Sequence, residues 1–339
     1  MTEAPKHATL QTGIPVYAIG FSNDMHIFYV GGGGAGRSGV SNAIKSAKLQ
    51  RGDNALTLHP AGEFKLRGDE DAPMCVTVSP SSDALVVGIN SAADIVRGGE
   101  NRHLRVYDFG VQASPGARAE GQADLHVDIR ERSALASLGM ADPEQYQKTV
   151  SFSPDGKLLA VGSSDGRLQL HRYPSLEPVW SSTQDTFTSD EEIYDTDFSQ
   201  DGTQLACTTQ SKVVVLSTSP RTKEKGGVLT YTPRILQTID SATIGTSERG
   251  AFRMAKFGRT KTMDVGTRDM LFTLVNTAPS KDAKARPSYI VAWNADKWQI
   301  TAIRKVSQRP ATVLTVSPDG RFVACGMSDL NHSSSTAEN

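Results

Sequence analysis

Short apolar runs alternate with turn-forming clusters along most of this 339-residue chain, and one phrase repeats. Ser153-Pro154-Asp155-Gly156 leads into Lys157-Leu158-Leu159-Ala160-Val161-Gly162, then Ser163-Ser164-Asp165-Gly166, then Arg167-Leu168-Gln169-Leu170-His171. The pattern predicts strand, turn, strand, turn, strand, with the Asp-Gly pairs in tight primed turns whose positive φ suits Gly and, less well, Asp. The phrase returns as Val316 to Gly326, in weaker form as Phe198 to Cys207, and more loosely as Val78 to Gly88. Ala123 to Leu138 is patterned instead as a short amphipathic helix.

Repeats of a strand-turn unit with variable loops fit four-stranded propeller blades, whose usual period is ~40–45 residues. Blades are expected to begin near Tyr17, Met74, Lys148, Ile193, Phe252 and Thr312, with polar surface inserts at Gly110 to Gln145 and Ser217 to Gly250. The fold class is therefore all-β, a β-propeller spanning 1–331 as one domain, because each blade packs on its neighbours. A polar tail without strand pattern follows at 332–339. Leu104-Arg105-Val106-Tyr107-Asp108 and Tyr289-Ile290-Val291-Ala292-Trp293 fill the slot where many blades carry a Trp-Asp pair, without a full match.

Charge and composition remove several function classes. With 36 basic and 37 acidic residues the formal charge is −1, which gives no overall drive toward nucleic acid or anionic membrane. The most basic stretches, Arg221 to Lys225 and Arg253 to Arg268, lack interleaved aromatics and read as solvated loops. Three scattered cysteines, Cys75, Cys207 and Cys325, fit a reducing compartment, and no run reaches the ~20 apolar residues of a membrane span. The seven histidines show no metal-ligand spacing, and the carboxylate clusters Asp69-Glu70-Asp71 and Glu191-Glu192 sit at loop ends as solvated or turn residues. Hydrolytic chemistry has no candidate machinery.

The remaining feature is Val30 to Ile44, VGGGGAGRSGVSNAI, directly after an apolar strand. Gly31, Gly33 and Gly36 match G-x-G-x-x-G, with Asp53 placed like a ribose-binding acid, and Gly31 to Ser38 matches a phosphate loop with Arg37 in place of lysine. Both signatures require a following helix to cradle phosphate. The runs after this loop are short and strand-like, so the glycines are expected to serve backbone geometry.

Placed in the first blade, GGGGA, a basic residue, Ser, Gly, an aliphatic residue, any residue and Asn resembles the signature of the endoplasmic-reticulum guanine-nucleotide exchange factors that start COPII coat assembly, the prolactin regulatory element-binding protein family. Gly31 to Ala35, Arg37, Ser38, Gly39, Val40 and Asn42 carry the match, and the likeness continues through irregular blades to about Asn331. The resemblance implies a WD40-like propeller of about seven blades that binds a Sar-type small GTPase and speeds GDP release without covalent chemistry. It implies a loop shaped by a potassium ion held largely by backbone oxygens at Gly31, Gly32, Gly33 and Gly34, with Asn42 presented to the nucleotide site. Gly39, Val40 and Ile44 are expected at the GTPase contact, flanked by Asp71 and Pro73. It implies location at the cytosolic face of the endoplasmic-reticulum membrane through a C-terminal helix. Against that pattern, the sixth repeat is expected to stop after two strands and the chain to be truncated, soluble by itself. A propeller scaffold that binds partners and exchanges nothing is the alternative function.

Overall fold

The computed structural model describes residues 7–36, 38–52, 55–68, 70–113, 125–182, 190–223, 229–241, 250–262, 266–277, 286–317, 320–328 and 332–336. Arg37, Asp53, Asp69 and Asn331 lie outside them. Among the described residues the strands are β1 (Val16–Phe21), β2 (His26–Gly31), β3 (Ala43–Arg51), β4 (Leu56–Lys65), β5 (Cys75–Val78), β6 (Ala84–Gly88), β7 (Leu104–Ala113), β8 (Leu125–Leu135), β9 (Gln147–Phe152), β10 (Leu158–Ser163), β11 (Leu168–Arg172) and β12 (Pro178–Ser181). They continue as β13 (Asp195–Phe198), β14 (Gln204–Thr208), β15 (Lys212–Ser217), β16 (Pro220–Lys223), β17 (Leu229–Tyr231), β18 (Ile235–Asp240), β19 (Gly250–Thr262), β20 (Gly266–Thr277), β21 (Ser288–Asn294), β22 (Gln299–Ser307), β23 (Ala311–Val316), β24 (Phe322–Met327) and β25 (His332–Thr336). One short helix, α1 (Ala93–Arg97), joins β6 to β7. No helix among the described residues is long and apolar enough to cross a membrane.

The strands form blade-like antiparallel sheets in chain order: β1-β2-β3-β4, β5-β6-β7-β8, β9-β10-β11-β12, β13-β14-β15-β18, β19-β20-β21-β22 and the three-stranded β23-β24-β25, with β16-β17 a separate ribbon. The innermost strands begin at Val16, Cys75, Gln147, Asp195, Gly250 and Ala311, within two residues of all six expected blade starts. Both proposed Trp-Asp slots fall in third strands, β7 and β21.

The chain divides into two compact units, 1–150 and 151–339, with the boundary inside β9. In the first, Phe28, Val30 and Ile44 of one blade bury against Leu85, Val87, Tyr107, Val127 and Ile129 of the next. In the second, successive sheets share apolar layers: Leu168 and Leu170 with Leu205 and Leu216, Val213 and Val215 with Phe252 and Leu271, and Leu274 with Leu314 and Val323. Each such large side chain contributes ~1.5–3 kcal/mol when fully buried, so sheet stacking is the main source of cohesion within each unit.

The recurring turn phrase has a side-chain logic. Ser153 Oγ donates to Asp155 Oδ1 at 2.7 Å and accepts the Leu158 N–H at 2.9 Å, while Gly156 N–H returns to Ser153 O at 2.9 Å. Ser199, Asp201 and Gly202 repeat this geometry, and Gly156 and Gly202 take φ of 70° and 71°. The expected primed turn is corrected here. Pro154 cannot adopt positive φ, so the left-handed residue comes after the hydrogen-bonded turn, at glycine, and the serine hydroxyl bridges the widened loop.

Three further expectations are corrected. Leu125–Leu135 is a strand paired with β7, not a helix; Val127 and Ile129 are buried while His126 and Arg130 are exposed, a period of two. The segment 217–250 is not merely a surface insert, because Ile235–Asp240 supplies the fourth strand of its sheet and Pro220–Lys223 pairs with Leu229–Tyr231. The tail is not without strand structure: His332–Thr336 pairs with β24 and gives the sixth sheet a third strand.

In the second unit, Asp195 and Asp197 stand on one face of β13 and reach β19. Asp195 accepts the Ala255 N–H at 3.3 Å and Asp197 the Phe257 N–H at 2.7 Å, and Lys256 Nζ lies 2.8 Å from Asp195 and 3.7 Å from Asp197. Burial pushes the Asp197 carboxyl up to about 6, an effect Asp195 reinforces and Lys256 opposes. A carboxylate whose folded value exceeds its unfolded ~3.9 favours the fold fully below pH ~4 and loses that contribution as pH rises through the folded value. Asp197→Asn removes the titration and keeps an acceptor for Phe257. Urea unfolding at pH 4.5 and 7.5 is therefore expected to show the variant gaining on the wild type by about 1–2 kcal/mol at the higher pH.

Candidate functional site

The glycine loop connects β2 to β3 and is followed by a strand, so no helix N-terminus stands behind it to cradle a phosphate. Its base is fixed by strand pairing, since Gly31 is opposite Val16 on one side and Ala43 on the other. Gly32 N–H donates to Pro15 O at 3.1 Å. From there the chain curls tightly enough to exclude side chains. A Cβ on Gly32, where φ is 147°, would stand 2.8 Å from Ser41 O, and one on Gly33 would strike Ser38 Oγ and lie 2.9 Å from Val40 O. The nearest contacts are the side-chain oxygens of Asn42 and Ser38, and behind them stand the Ser41 and Val40 carbonyls on backbone that cannot swing away, so glycine is required.

Asn42 closes the curl. Its Oδ1 accepts the Gly34 N–H at 3.0 Å, and its Nδ2 donates to Gly34 O at 3.1 Å and to Glu70 O at 2.8 Å. Both amide donors and one of the two acceptor positions on Oδ1 are thereby used across two loops. Asp71 acts beside it: one carboxylate oxygen accepts the Ala35 N–H at 2.9 Å and the Ala72 N–H at 2.7 Å. Gly34 at φ 76° and Gly39 at φ 75° make the two left-handed bends of the crest between them. Ala35, Gly36, Ser38, Gly39, Val40 and Ser41 are exposed along that crest.

The structure thus brings Asn42, Asp71 and the Gly31 to Gly34 run together and leaves Gly39 and Val40 outward, Val40 being 36% exposed. Ile44 does not fit the expected apolar contact, because it is fully buried against Phe28 and Leu85 in the sheet core. Pro73 is also buried, and Asn42 is only 9% exposed. In this conformation Asn42 holds the crest rather than projecting from it.

The oxygens nearest the glycine run are those of Pro15, Ser38, Val40, Ser41, Asn42 and Asp71. These are hard oxygen donors, the class of ligand that suits a hard cation such as potassium. The Val40 and Ser41 carbonyls and the Ser38 hydroxyl are the groups that would hold it. Gly34 O is less suited, since Asn42 already donates to it. No group of three or more His, Cys, Asp or Glu suited to a metal occurs among the described residues.

Glu70 and Arg105 belong to the site and were missed by sequence reasoning. Glu70, expected as a solvated turn residue, is 8% exposed; its carboxylate takes the Arg67 N–H at 3.0 Å and pairs with Arg105 Nη1. An acidic run at a loop end gives no signal of burial, and the partner stands 35 residues further on.

The fold and the repeats define the class: this is a WD40-type β-propeller protein. The WD domain, G-beta repeat model matches residues 145–172, the unit in which the turn phrase is most complete. The solved β-propeller domain of Cps50 (Swd1) from Myceliophteria thermophila superposes with a TM-score of 0.59 over 94% of this chain and 81% of that one, at 11% identity. Within the class, the chain is related to the guanine nucleotide-exchange factors named SEC12. It is 23% identical to the Rattus norvegicus protein of that name over 92% of this chain and 73% of the relative, and equally to the Mus musculus protein over the same shares.

Proposed function

We propose that this chain is a guanine-nucleotide exchange factor for a Sar-type small GTPase, acting at the cytosolic face of the endoplasmic reticulum to initiate COPII coat assembly. The observation that carries the proposal is the glycine crest, an exposed loop joining the two central strands of its sheet, whose curvature is fixed from beneath by Asn42 and Asp71. Relatives named as exchange factors across nine-tenths of the chain support it.

Exchange needs no bond-making groups from this protein. A partner that binds the nucleotide-free GTPase more tightly than the GDP form lowers GDP affinity by linkage. A rigid crest serves that purpose, because it can enter the switch and phosphate region without first losing conformational freedom. Here the exposed residues Ala35, Gly36 and Ser38 to Ser41, with Val40 as apolar contact, make the encounter, and Asn42 keeps the crest in shape. A bound potassium ion would supply positive charge beside the Val40 and Ser41 carbonyls, stiffening the same curl.

The test is GDP release from a Sar-type GTPase, followed with a fluorescent nucleotide, with and without the chain. Acceleration is expected, and Val40→Asp is expected to reduce it about tenfold, as loss of an apolar contact residue does, with the thermal midpoint of the exposed-site variant unchanged. A folded chain that binds the GTPase without accelerating release would leave a scaffold and overturn the exchange activity.

A further inference from the structure

We infer that the buried Glu70–Arg105 ion pair is a positioning element for the glycine crest, acting through the Glu70 carbonyl on Asn42. The inference rests on the exchange activity proposed above for its functional consequence, and on hydrogen bonding alone for its structural one.

Glu70 lies in the connection between the first two sheets, Arg105 on β7 of the second. Arg105 is 5% exposed and held from two sides: Nε donates to the Arg102 carbonyl just before β7 at 3.0 Å, and Glu131 on β8 stands 3.8 Å from Nη1. The guanidinium therefore forms a fixed post. Glu70 meets it through one carboxylate oxygen, while the other accepts the Arg67 N–H, so residue 70 is tied on both sides. Its carbonyl is then presented to Asn42 Nδ2 at 2.8 Å. The next residue, Asp71, holds the crest at Ala35 and is itself fixed by its N–H on Asn90 O at 3.1 Å. One short segment thus delivers both groups that grip the crest, and the ion pair sets where that segment lies.

A buried ion pair is weak as a source of net stability compared with apolar replacements of similar volume, and its best-attested use is to specify geometry. That difference makes the proposal testable. Replacing both partners, Glu70→Met with Arg105→Met, is expected to leave a folded chain with a loosened crest. Hydrogen exchange of the purified chain, read at peptides covering residues 31–44, is expected to quicken ~10-fold in the double variant while β5 and β6 stay protected. Arg105→Lys, which keeps the charge but not the planar guanidinium, is expected to quicken the crest less than the double variant and more than the wild type, and that intermediate rate is the readout if the double variant does not fold.

In the GDP-release assay the double variant should lower the maximal release rate, with the half-saturating GTPase concentration moving less than ~3-fold. Unaltered crest exchange in a folded variant would overturn the proposal. A loosened crest with an undiminished release rate would overturn its bearing on exchange. A loosened crest in a protein whose wild type releases no GDP would sustain the strut and remove the exchange activity instead.

Discussion

Lys256→Met is expected to cost the second unit about 3–5 kcal/mol, the loss seen when one partner of a buried ion cluster is removed and the other is left uncompensated. Asp195 is 5% exposed and Asp197 26%, and among the described residues Lys256 is the one cation within 4 Å of either. Both carboxylates also accept backbone N–H groups of β19, so they cannot swing to water without breaking the join between two sheets. Burial already raises both acids above the ordinary carboxylate value. Without Lys256 the raising effect has less to oppose it, and the penalty follows from ionising the pair. The deficit is therefore largest at pH 7.5 and shrinks toward pH 4.5, as the Asp197 carboxyl takes up its proton. Adding Asp195→Asn and Asp197→Asn should recover most of the loss at neutral pH. Urea unfolding at the two pH values checks this, and a deficit independent of pH would show that packing of the lysine stem, not its charge, is what matters.

Asn42→Ala is expected to lower GDP release by ~10²-fold, the scale on which a misplacement of about 1 Å acts. The variant removes three hydrogen bonds, two to Gly34 and one to Glu70. Gly34 is partly exposed and its backbone groups can turn to water, so stability should fall by only ~1–3 kcal/mol while the crest loses its shape. Asn42→Asp separates shape from size. It retains an acceptor for the Gly34 N–H but sets a carboxylate against the Gly34 and Glu70 carbonyls, and it should release GDP no faster than the alanine variant. Hydrogen exchange at residues 31–44 reads the loosening without any GTPase. If the asparagine instead acts directly on nucleotide, Asn42→Ala will abolish release while the crest stays as protected as in the wild type.

Much of the sheet order was legible because its signals are local. The Ser-x-Asp-Gly phrase encodes a turn through contacts within six residues, and each copy announced the strand on either side of it. Leu125–Leu135 was misread although Leu125, Val127 and Ile129 alternate with polar residues as a half-buried strand does: the alternation covers only five residues, and the pairing with β7 that fixes it is not a sequence property. His332–Thr336 was missed for a related reason: a serine-rich strand has no apolar alternation, and it is formed by the free edge that β24 offers.

The same division runs through the site. Sequence alone determined where the crest lies, that its glycines are needed for backbone and not for phosphate, and that Asn42 and Asp71 belong with it. Tertiary structure decided what those residues do: it buried Ile44 and Pro73 in the packing, turned Asn42 inward as a clamp, and joined Glu70 to Arg105 beneath it. The reason is one of range. Positive φ and turn hydrogen bonds are set within a few residues, whereas burial and ion pairing depend on which distant strand the sheet stacking brings alongside.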